Sequence, residues 1–408
     1  MQGKSILTAG CVLFFILVLI IGCAAPKPTT TPTATPAAPE SIIIGLMVST
    51  TGYDSTNGDA SKKGVELAVE NINKEGGVYV KEYDKKIPLE LVSVNMESDP
   101  EKAIARAEAL NSQYKAVACC GTTLASATAD IWEKNELPFV ATAIATAELH
   151  QKGFKYWFNI HKLNPDHCKA LFGLFDSIPA NIRPTKWAIW EEQMDWVAEF
   201  FRYARQQAPA HGVNFVTDLK YPILARDMSQ LIQQAKEAGA EVVVSLPTNI
   251  DAMTMLKQMK ELNYRPKGLI MIRAADDPFW SVYGAIGDYV IVSINWHPSL
   301  TWPGVKELNE MYQAKHGKLT HPLAGDSYAC IQIVADAIQR AGTLDRAKVR
   351  DAIATTDLMT VSGPIKFRED GSRIDPPLLL QQWQKGVMEN IWPSDSITKP
   401  LVYPRPYP

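Results

Sequence analysis

Three hydroxyl-bearing stretches stand where apolar runs stop. Ser49, Thr50, Thr51, Gly52 and Tyr53, with Asn57 close behind, follow Ile42 to Val48. Gly121, Thr122 and Thr123, with Ser126 one turn on, follow Ala116 to Cys120. Thr142 to Thr146, with Ala143 between, follow Pro138 to Ala141. Hydroxyls and the free N–H groups of a helix start hold carboxylates and similar anions. The same hydroxyls also act as plain helix N-caps, and at Thr122 and Thr123 both readings stand. Further along, Arg273 has the fork geometry that grips a carboxylate, and Asp276 and Asp277 come shortly after it. Tyr53, Trp190, Trp196, Trp280 and Trp296 flank these loops. An indole can close over an apolar or aromatic solute, and each of these residues is equally readable as core.

That chemistry is binding, and the motifs of catalysis are missing. No GxGxxG follows a strand, and there is no GxSxG elbow, GxxxxGK[ST] loop or HExxH. His161, His167 and His297 form no metal spacing with a carboxylate, so neither metal nor cofactor is expected. With 41 Lys and Arg against 44 Asp and Glu, the net charge of −3 offers no basic face for nucleic acid. Neither Cys119 nor Cys120 is expected to pair with the other, because adjacent cysteines strain; a bridge to Cys168 or Cys330 is left open by the sequence.

The elements that must position these loops alternate between strand and helix. Ile42 to Val48 is a short, β-branched run, as a strand covered on both faces should be. From Gly58 the spacing changes to three and four, with Ala60, Gly64, Leu67, Ala68, Asn71 and Ile72 on one helix face, stopped by Gly76-Gly77. Ile87 to Asn95 and Pro100 to Gln113 repeat the pattern, and the buried strands at 116–120 and 138–141 complete a first block. Strands of a parallel sheet end at one edge, so the three hydroxyl loops converge there. The alternation restarts at Lys186, with strands at 186–190, 214–219, 241–245 and 268–272 and helices at 195–208, 226–238 and 249–261. Later helices are expected at 305–316, 327–341 and 346–356, and closing strands at 363–367 and 379–384.

The chain opens on a different composition. Lys4, the apolar run Ile6 to Ile21 and Gly22-Cys23 read as a signal peptide over residues 1–23, with an uncleaved anchor as the other reading. Residues 24–40 are rich in Pro and Thr and read as an extended tether. About 368 residues remain, more than one core usually serves, so two domains are expected.

Several of these stretches carry a family resemblance. The Thr-Gly loop followed by GVELAVENINKEGG, the turn NYRPKG at 263–268, AGDSYACIQIVADAIQRAG at 324–342 and LDRAKVRDAIATTDLMTVSGPIKFREDG at 344–371 resemble the leucine/isoleucine/valine-binding family of extracytoplasmic solute-binding proteins. The likeness covers about residues 41–392. Ile20-Ile21-Gly22-Cys23 also resembles a bacterial lipobox, which implies lipidation of Cys23 and a membrane-anchored lipoprotein.

The resemblance implies an α/β fold of the type I periplasmic-binding kind: two Rossmann-like lobes with mostly parallel sheets, joined by three crossings. Lobe one is placed at 41–160 plus 297–377, lobe two at 161–296 plus 378–393, and a C-terminal tail at 394–408. It further implies capture of a small carboxylate-bearing solute, an amino acid or an aromatic or apolar acid, and delivery to an ABC permease. A periplasmic sensor for a signalling partner is the alternative, and an enzyme is not expected. The solute site is expected at Thr51, Tyr53, Asn57, Thr122, Thr123, Ser126, Ala143 and Thr146, and in lobe two at Trp190, Asn249 and Arg273; of these, Thr122, Thr123, Ser126, Asn249 and Arg273 fall at or near the family's ligand positions. The family's second threonine falls on Ala145, and its ammonium-binding acid falls near Arg273, which departs from an amino-acid site.

Overall fold

The computed structural model describes residues 37–275 and 284–407. Cys23, the expected leader, most of the tether, Asp276, Asp277 and Trp280 lie outside the described residues, as does the side chain of Thr123.

The first sheet is built from β1 (Ile42–Val48), β4 (Leu89–Asn95), β5 (Ala118–Gly121), β6 (Phe139–Ala141) and β7 (Trp157–Asn159). Its order is β4-β1-β5-β6-β7, and every pairing is parallel. A hairpin of β2 (Val78–Val80) and β3 (Lys85–Ile87) stands beside it. The two-residue period of a strand divides β1 between two cores. Ile42, Ile44, Leu46 and Val48 pack with α1 (Ser55–Lys74), while Met47 faces α2 (Pro100–Ser112) and α3 (Ala129–Lys134). Each fully buried aliphatic side chain of this kind contributes about 1.5–3 kcal/mol.

The first core is completed from the far end of the chain, by helices numbered here α8 (Val305–His316), α9 (Pro322–Ala341) and α10 (Arg346–Ala354). α1 and α9 cross where Gly64 meets Ala324, and a Cβ on Gly64 would lie 2.1 Å from the Ala324 carbonyl oxygen. Only hydrogen fits there. Cys120 of β5 and Cys330 of α9 form a disulfide across 210 residues of sequence, which settles the pairing the sequence left open. Cys119 and Cys168 are buried free thiols.

The second sheet has seven strands in the order β16-β15-β12-β11-β10-β8-β9. β8 (Lys186–Glu192), β9 (Asn214–Tyr221), β10 (Val242–Ser245), β11 (Gly268–Met271) and β12 (Val290–Val292) are parallel. β15 (Leu380–Gln384) and β16 (Val387–Trp392) add antiparallel to its edge, beyond a separate hairpin of β13 (Asp357–Thr360) and β14 (Gly363–Lys366). α4 (Asn164–Asp176) and α5 (Asp195–Gln207) cover one face, and α6 (Ser229–Glu237) and α7 (Asn249–Glu261) the other. Residues 394–407 pack back on this lobe, where Arg405 donates to the carbonyls of Asp288 (3.0 Å) and Ile286. Among the described residues no helix is long and apolar enough to cross a membrane.

Candidate functional site

The polypeptide crosses between the sheets three times, near 160, 294 and 379, and one buried side chain ties the crossings together. Lys162, 0% exposed, donates to the carbonyls of Ile294 (3.2 Å) and Leu379 (2.6 Å). Arg373 reaches the carbonyls of Ile160 (3.4 Å), Ser362 (2.7 Å) and Pro364 (3.0 Å). Asn295 donates to Nδ1 of His161 at 2.8 Å. Burial pushes the Lys162 ammonium down to about 7 and the Asp326 carboxyl beside it up to about 7. Expelling water from this polar set makes each hydrogen bond costly to lose. His297, at the second crossing, bonds to Met388 O (2.8 Å) and to Ser299. Trp296 is likewise a buried hinge residue, donating to Val361 O at 2.7 Å.

Beyond the crossings, the carboxyl ends of the parallel strands of both sheets face one cavity of about 100 Å³. From the first sheet it is lined by Asn57, Ser126, Ala143, Ile144, Ala145 and Thr146, with His321 and Leu323 from the start of α9. His161 and His167 line it near the first crossing. Trp196, Ile272, Arg273, Ala275, Ser293 and Ile294 complete it from the second sheet. Most of this wall is apolar. Both His161 and His167 are uncharged: burial and the neighbouring Lys162 hold His161 down to about 3, and burial holds His167 well below its usual range. Among the described lining residues, Arg273 is the one permanent cation.

Arg273 is held on three sides. Its Nη1 lies 3.3 Å from Oε2 of Glu192 at the end of β8, its Nη2 lies 3.8 Å from Oδ1 of Asp54 on the opposite lobe, and its guanidinium stacks 5.4 Å from the Trp196 ring. Asn57 donates to the same Asp54 Oδ1 at 2.9 Å. A second set of bonds joins the lobes at the rim. Glu199 of α5 accepts from the backbone N–H groups of Ala147 (3.0 Å) and Glu148 (2.9 Å), and Arg202 pairs with Glu148.

The expected site residues divide. Asn57, Ser126, Ala143, Thr146 and Arg273 line the cavity, as does Ala145. Tyr53 sits beside Arg273 and Asp54; burial, and after it the Asp54 carboxylate, raise its phenol pKa against the opposing pull of Arg273. Thr51 is exposed and accepts from Asn95 at 2.9 Å, outside the cavity. Thr122 is 1% exposed and stands behind the lining, and Thr123 opens the turn that presents Ser126. Asn249 begins α7 away from the cavity. Trp190 corrects an expectation: the strand period turns it under α6 and α7, where it is 0% exposed and 6.5 Å from Tyr264. Trp196, in the first turn of the next helix, supplies the indole instead. Ser293, Ile294, His321 and Leu323 carried no sequence signal, because they reach the cavity only through the crossings and the return of α9. Among the described residues no cluster of His, Cys, Asp or Glu is placed to hold a metal ion.

The family model for periplasmic binding protein matches residues 41–387. The Leu/Ile/Val-binding protein homolog 7 of Brucella suis is 25% identical over 397 residues, covering 90% of this chain and 96% of that protein. Two solved structures show the same fold. One is the branched-chain amino acid transporter substrate-binding protein of Streptococcus pneumoniae in complex with isoleucine, at TM-score 0.75 and 19% identity, covering 86% of this chain and 98% of that one. The other is an ABC transporter solute-binding protein of R. palustris in complex with benzoate, at TM-score 0.75 and 16% identity, covering 89% and 98%. Two mostly parallel sheets meet over a cavity at a three-stranded hinge, and the family model matches nearly the whole described body: the chain belongs to the periplasmic binding protein family of extracytoplasmic solute-binding proteins.

Proposed function

We propose that this protein is the lipid-anchored receptor of an ABC importer, tethered through Cys23, and that it captures a small apolar carboxylate between its lobes. The observation that carries the solute class is the cavity itself: walls of Ile144, Ile272, Ile294, Leu323 and Trp196 around one guanidinium, Arg273. An apolar wall stabilises the solute's hydrocarbon by area, and a single cation fixes the orientation of its acid group. Isoleucine and benzoate, bound by the two structural neighbours, are both apolar carboxylates. Contacts made from both lobes exist only when the lobes are closed, so solute binding drives closure by that difference. Such closure is what a permease reads.

Thermal shift and calorimetry against branched-chain amino acids, aromatic acids and aliphatic acids test the reading. Stabilisation by one of these classes, lost in Arg273→Met, is expected. Stabilisation by sugars or amines, with none by any acid, overturns it. Incorporation of labelled fatty acid into wild type, absent in Cys23→Ala, is expected for a lipid anchor, and no incorporation into wild type refutes the anchor.

A further inference from the structure

Behind Arg273 lie two carboxyl groups that the cavity does not touch. Glu192 is 0% exposed; its Oε1 accepts from Thr248 N at 3.0 Å and its Oε2 faces Arg273. Asp251, at the first turn of α7, is also 0% exposed. Its Oδ2 accepts from Leu224 N (3.0 Å) and Thr248 Oγ1 (2.8 Å), while its Oδ1 has no donor. An orphaned carboxylate oxygen sealed from water costs free energy, and a donor beside it removes that cost. We propose that Glu192 supplies the donor: Glu192 and Asp251 share one proton, and the shared proton makes Glu192 a positioning residue that governs how far Arg273 is free to meet a solute anion. This rests on the reading of the cavity as a carboxylate site.

The surroundings agree. Burial raises the Glu192 pKa to about 8 in spite of the adjacent Arg273, and the neighbouring Asp251 acts in the same direction. The groups facing Glu192 are Asp251 on α7, Arg273 after β11, Tyr221 on β9 and Tyr53 on the first lobe, with Asp54 beyond Arg273. Burial raises both tyrosines, so neither takes over the titration. While protonated, Glu192 gives its hydrogen to Asp251 and presents only a neutral oxygen to Arg273. When it loses that proton to solvent, a full carboxylate stands 3.3 Å from the guanidinium and competes with the solute's own.

The test is affinity for benzoate, 4-methylpentanoate and leucine across about pH 6 to about pH 9.5, on wild type and Glu192→Gln, with thermal midpoints of both ligand-free proteins. For whichever acid binds, Kd is expected to rise by up to about tenfold per pH unit above the Glu192 pKa in wild type. In Glu192→Gln, Kd is expected to stay flat whatever its neutral value, because an amide donates to Asp251 at every pH. Without ligand, the variant's midpoint is expected to gain on wild type as pH rises, since glutamine does not ionise. An equal alkaline decline in both proteins, or none in wild type, overturns the inference and leaves the carboxylate site intact. If wild type binds none of the three acids, the carboxylate reading falls, and parallel midpoint curves in the ligand-free proteins then remove the shared proton as well.

Discussion

Removing the Cys120–Cys330 disulfide with a Cys120→Ala/Cys330→Ala pair should destabilise the first lobe far more than the second. The bridge closes a ring of 210 residues, for which the chain-entropy relation gives about 5.4 kcal/mol. That ring, however, contains the second sheet. If the second lobe stays folded, its ends at the first and second crossings are already close, and the flexible ring shrinks to about 75 residues, or about 4.5 kcal/mol. Both sulfurs are fully buried between β5 and α9, so the two alanines add a packing loss in the same direction. At about 2–4 °C per kcal/mol for a unit of this size, a fall of roughly 10–15 °C is expected. Calorimetry is the assay, because two lobes need not unfold as one two-state unit. The lower transition should separate from the other in the variant, and wild type in strong reductant should behave alike. A midpoint within about 3 °C of wild type, or equal shifts of two resolved transitions, refutes the reasoning.

Three further outcomes are expected. Glu199→Ala removes the acceptor of two interlobe N–H bonds and should weaken the closed state by about 2–4 kcal/mol, seen as faster solute release in stopped flow; an unchanged release rate removes Glu199 from closure. Gly64→Ala forces a methyl to 2.1 Å from the Ala324 carbonyl, and the helices must separate at a cost of about 3 kcal/mol or more, so wild-type thermal stability in this variant refutes the tight crossing. His161 is held down to about 3 from an ordinary 6.5, so the unfolded chain takes up its proton first and stability falls as pH drops below 6.5. By pH of about 4.5 the loss from this residue is about 2–3 kcal/mol, and a His161→Gln variant that loses as much as wild type on acidification contradicts it.

Much of the fold was legible because its signals are local. β1 matches its expected range, Ile42–Val48, and α2 ends within one residue of expectation, since period and proline at a first turn need no distant partner. α1 begins three residues before Gly58, and α9 begins at Pro322 where 327 was expected, because both first turns are sealed by tertiary contact. The segment around Ser126 divides into a 3-10 turn at Thr123–Thr128 and the short α3. α4, with Cys168, Leu171, Phe172 and Phe175 on one buried face, lies outside the expected elements although its spacing is helical. The short strands β2, β3 and β7 also lie outside them, since three residues carry too little pattern to stand out.

The sequence by itself determined the alternation of strand and helix, the single edge at which three hydroxyl loops end, and the arginine after β11. Those follow from side-chain period, turn chemistry and the direction of parallel strands, all written within a few residues. Only the tertiary structure decided that Cys120 meets Cys330, that Trp196 and not Trp190 faces the cavity, and that Arg273 is shared among Asp54, Glu192 and the solute space. Each of these is a contact between segments tens to hundreds of residues apart. No local pattern encodes such a distance; packing two sheets across a three-stranded hinge sets it.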